Sequence, residues 1–69
     1  MSQEINYSVK AEVAVEIISM YIAIAKEDNL KDIEKKLRKE REEIYLGNEK
    51  IIEKVINEYG NVIKKRLGR

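Results

Sequence analysis

The chain has 69 residues, with 14 basic and 13 acidic side chains, a net charge of +1, and neither Cys nor His. A chain this short makes one domain, whose single core supplies no more than about 3–5 kcal/mol unless something else staples it. Without Cys or His there are no disulfides and none of the usual zinc or haem ligand sets, so association with a second subunit is the staple left.

The N-terminus MSQEINYSVK is polar and acidic, whereas a secretory signal opens with a basic stretch and an apolar core. The most apolar segment, 13–25, falls short of the roughly 20 residues that span a bilayer, and it carries Glu16. A cytoplasmic protein with no membrane partner is expected.

Residues 4–25, EINYSVKAEVAVEIISMYIAIA, fit two templates. With period two, Ile5, Tyr7, Val9, Ala11, Val13, Val15 and Ile17 alternate with mostly polar residues, the pattern of a half-buried strand. With the helical period, Val9, Val13, Ile17, Tyr21 and Ile24 form one stripe, and Ala11, Ala14, Ile18, Ile22 and Ala25 a second beside it. Beyond Ile17 the alternation fails while the apolar run continues, too long for a typical strand. The spacing predicts a first helix over about 8–27, N-capped by Ser8, preceded by a short extended arm at 4–7 that is either frayed or paired as a ribbon with a second copy.

Lys26 to Asn29 form a polar break, in which Asn29 either ends one helix in the left-handed region or caps the next. Leu30, Ile33, Leu37 and Ile44 then recur at helical spacing and predict a second helix over about 30–46. Residues 38–43, RKEREE, are all charged, so this helix offers only a thin apolar seam and should be the outermost element. Pairs four apart, such as Glu34 with Arg38 and Lys39 with Glu43, add about 0.2–0.5 kcal/mol each to its local stability.

Gly47 and Asn48 mark the sharpest boundary, Gly for a left-handed helix end and Asn for the cap of a third helix over about 49–67. So short a turn makes the second and third helices antiparallel neighbours. Ile51, Ile52, Val55, Ile56, Tyr59, Val62, Ile63 and Leu67 give the third helix a broad apolar face, with Gly60-Asn61 as a weak point in a continuous element. The fold class expected is all-α, a three-helix bundle forming one domain.

Catalytic chemistry is thinly provided. There is no His, Cys or Thr, the three Ser stand in a tail, at the expected cap and on an apolar helix, and the three Gly are isolated. Carboxylates pair at helical spacing, Glu12 with Glu16 and Glu49 with Glu53, but an oxygen-liganded cation wants about four converging acids. The expectation is a protein that is not an enzyme and holds neither metal nor cofactor.

Charge is segregated. Residues 1–28 carry two basic against five acidic side chains, and residues 48–69 six basic against three acidic. Helix one is also more apolar around its circumference than one hairpin with a thin seam can cover. Ile17, Met20, Tyr21 and Ile24 are therefore the expected partner-binding residues, in a homodimer or against another protein, and the function expected is regulation by helix-mediated contact.

The alternative partner is nucleic acid. Lys64, Lys65, Arg66 and Arg69 form a basic tail suited to phosphates. In the arm, Ile5, Tyr7 and Val9 on one face and Asn6, Ser8 and Lys10 on the other, followed by helices, resemble the ribbon-helix-helix repressors over about a third of the chain. That resemblance implies a dimer whose paired strands enter the major groove, with Asn6, Ser8 and Lys10 reading bases. The chain departs from the family in lacking its Gly- or Ser-rich break between the two helices.

Overall fold

A computed structural model describes residues 2–68, with side chains over 9–66. Helix α1 (Ser2–Glu27) is followed by α2 (Lys31–Tyr45) and by a third rod made of α3 (Glu49–Lys54), a π-helical turn (Val55–Tyr59) and α4 (Gly60–Gly68). The three rods run up, down and up. No strand occurs among the described residues.

The N-terminus departs from expectation. Residues 4–7 are helix rather than an extended arm, and Ser8 lies well inside α1 rather than at its cap. The physical reason is that β-alternation becomes a strand only when a neighbouring strand accepts its hydrogen bonds, whereas a helix satisfies its own backbone. With no Gly or Pro between residues 2 and 27, a helix nucleated on the core propagates outward one bond per residue.

Both inter-helix turns are Schellman motifs. Asn29 takes φ 60°, and the Leu30 amide donates to the Ala25 carbonyl at 2.8 Å while the Asn29 amide donates to Lys26 at 3.2 Å. Gly47 takes φ 86°, with the Asn48 amide donating to Glu43 and the Gly47 amide to Ile44, each at 3.0 Å. Asn48 then caps α3, its side-chain oxygen accepting from the Ile51 amide at 3.3 Å. Helix α2 begins without a side-chain cap, but Asp32 and Glu34 in its first turn complement the helix dipole.

The core takes the second of the two stripes on α1: Ala14, Ile18, Ile22 and Ala25 are buried. Leu37 and Ile44 meet them from α2, and Ile52, Val55 and Tyr59 from the third rod. Each fully buried large side chain contributes about 1.5–3 kcal/mol. The molecule measures 41 × 26 × 14 Å. At about 1.5 Å per residue, α1 spans that whole length while α2 covers little more than half of it.

The third rod is continuous through the expected weak point, but the irregularity falls one turn earlier. The Gly60 amide donates to the Val55 carbonyl five residues back, closing the π-turn. Ile17 Cδ1 packs 3.6 Å from the position a Cβ on Gly60 would take. The RKEREE segment also differs from expectation, because Glu40 within it is buried.

Candidate interaction surface

Glu40 sits in the seam of α2 between Leu37 and Ile44. One carboxylate oxygen accepts from the Tyr59 hydroxyl at 2.7 Å, and the other pairs with Lys54 Nζ at 2.9 Å. Tyr59 also meets Tyr21 edge-on, ring centroids 5.1 Å apart, and Lys54 Nζ lies 5.5 Å from the Tyr59 ring centre. Burial, and then the hydrogen bond to Glu40, push the Tyr59 hydroxyl from 10.0 to about 12. The bond to Glu40 raises Lys54 above its ordinary range. These groups are mutually satisfied and tie α1, α2 and the third rod together. They are a structural cluster, and no buried side-chain nitrogen or oxygen among the described residues lacks a hydrogen-bond partner. The sequence signal for it was one Glu at core spacing between Leu37 and Ile44.

The four expected partner-binding residues divide. Ile17 and Tyr21 are partly buried and pack on the core cluster, and Ile24 is partly buried. Met20 is 43% exposed. The residues that accompany it outward are Val9, at 51%, and Val13, at 39%. At 100° per residue the three fall within roughly 40° of one another on α1, facing away from the core. Glu16 lies in the same line and Glu12 beside it, both exposed.

Beside this stripe is an open groove of about 440 Å³ where α1 passes the end of α2. Ala11, Val15, Ile44 and Tyr45 line it, with Glu12 and Glu16 along one side. Tyr45 and its neighbour Leu46 are 67% and 80% exposed, an unusual placement for two large apolar side chains in succession. Their position just before Gly47, at the end of a helix with little seam to offer, was the signal available in the sequence. One turn further along α1 the seam closes, where Arg41 Nη1 donates to Ser19 Oγ at 3.2 Å.

The residues expected for nucleic acid do not share one surface. Lys10 is exposed near the N-terminal end of α1, whereas Lys64, Lys65 and Arg66 are exposed at the far end of α4. Arg66 there pairs with Asp28 at 3.5 Å. The side chains of Asn6 and Ser8, and Arg69 altogether, lie outside the described residues, and the segment that a groove-entering ribbon requires is helical. Among the described residues no group of three acidic side chains converges as a cation site, and no helix is long and apolar enough to cross a membrane. Glu49 and Glu53 are simply exposed on α3. No family model, no curated protein and no solved structure matches this chain.

Proposed function

We propose that this protein is a non-enzymatic contact module, which acts by covering the outward face of α1 with a second molecule, either a copy of itself or another protein. The observation that carries this reading is the alignment of Val9, Val13 and Met20 in solvent on the one helix that runs the length of the molecule. Isolated exposed apolar residues are ordinary, but a line of them beside an open groove floored by Ala11, Val15 and Ile44 supports a contact surface. A small core that needs a staple gives the same surface a stabilising role.

Light scattering across a range of concentrations tests the homodimer. Where the second molecule is another copy, the mass is twice the 8.1 kDa of the chain and returns to the monomer value for Val13→Glu with Met20→Glu. A monomer at every concentration, together with no binding of any helical peptide to this face, overturns the reading.

A further inference from the structure

Resting on that reading, we propose that the groove beside the stripe on α1 seats a basic amphipathic helix from another protein, with its apolar residues on Val15, Ile44 and Tyr45 and its cations on Glu12 and Glu16.

The argument turns on the two carboxylates. Glu16 lies within the line of Val9, Val13 and Met20, and Glu12 and Glu16 both line the groove. Any molecule that covers this face removes water from them, and a carboxylate desolvated without a counter-charge is disfavoured. No cation lines the groove to supply that charge from within. A second copy of α1 makes matters worse, because it sets one acidic edge against another. The occupant must therefore bring positive charge together with apolar surface.

Spacing narrows it further. Glu12 and Glu16 are four residues apart on one side of α1, about 6 Å along the axis. A helix lying along α1 meets both with Lys or Arg placed four apart. The groove ends at the Arg41–Ser19 contact, and this cation discourages a basic helix from continuing past it along the seam. The near-neutral net charge of +1 means that general electrostatic attraction does not explain preference for a basic ligand.

The test uses the whole chain and two synthetic amphipathic peptides, one of leucine and lysine only, the other of leucine and glutamate only. Fluorescence anisotropy should show the leucine–lysine peptide binding and the leucine–glutamate peptide not. Glu12→Lys with Glu16→Lys should weaken binding about tenfold, and Glu58→Lys, exposed elsewhere, should leave it unchanged. Equal binding of both peptides, or binding indifferent to the reversal at 12 and 16, overturns the inference. Self-association lost on Met20→Glu, with no peptide bound, also overturns it while leaving the contact-module reading intact. Self-association lost instead on reversal at 12 and 16 would overturn a separate partner and assign the groove to the basic α4 of a second copy.

Discussion

Tyr59 donates its hydroxyl to Glu40 across 2.7 Å, joining the third rod to α2 through a carboxylate that the surrounding charged sequence would place in solvent. Lys54 occupies the other oxygen, so the buried charge is compensated on both sides.

Glu40→Ala is expected to destabilise the fold by about 2 kcal/mol, because it strands a buried phenol and removes the acceptor of Lys54. Replacing both partners with apolar groups, Glu40→Leu with Tyr59→Phe, should recover much of that loss. Urea unfolding of the singles and the double measures the coupling. Additive losses would mean that the two groups do not act as a pair.

Alkaline pH should act on the same cluster. The Tyr59 hydroxyl ionises at about 12 in the folded chain and at 10.0 when unfolded, so the native state keeps a proton that the unfolded state has released. The corresponding stability is fully present below pH 10.0 and is lost as pH rises toward about 12, to an extent on the order of 2 kcal/mol. Lys54, raised from 10.5, works in the same direction. Chemical denaturation from neutral to strongly alkaline pH should show the decline, and Tyr59→Phe should flatten it.

The two internal glycines should respond with opposite signs. Gly47 holds φ 86°, where a side chain is strained, so Gly47→Ala should cost about 1 kcal/mol or more. Gly60 is right-handed helical, and an added Cβ meets Ile17 at an ordinary 3.6 Å, so Gly60→Ala should stabilise by about 0.5–1 kcal/mol. Thermal melts of the two variants decide the matter, and a destabilised Gly60→Ala would mean that the π-turn needs the bare backbone.

On α1, Met20→Glu should cost no more than about 1 kcal/mol of monomer stability, because Met20 is 43% exposed and lies outside the core. Tyr21→Glu should cost several times more, because its ring packs on Tyr59. Unfolding below any association threshold compares them directly. Equal effects would place Tyr21 outside the core.

The all-α class, the three helices and both turns were legible in the sequence because their causes are local. The helices follow from apolar spacing and the absence of Pro, and the turns from Asn29 and Gly47 at positions of left-handed backbone and from Asn48, whose side chain caps the helix that follows. Two things were decided only by the tertiary structure. Periodicity on α1 offered two adjoining stripes, and which one became the core depended on where α2 and the third rod pack; Ala14, Ile18, Ile22 and Ala25 are buried against them, leaving Val9, Val13 and Met20 outside. Likewise Glu40 could be buried only because Lys54 and Tyr59, 14 and 19 residues further along the chain, arrive at its two oxygens. Compensation of a buried charge is a property of three dimensions, which no local pattern around RKEREE expresses.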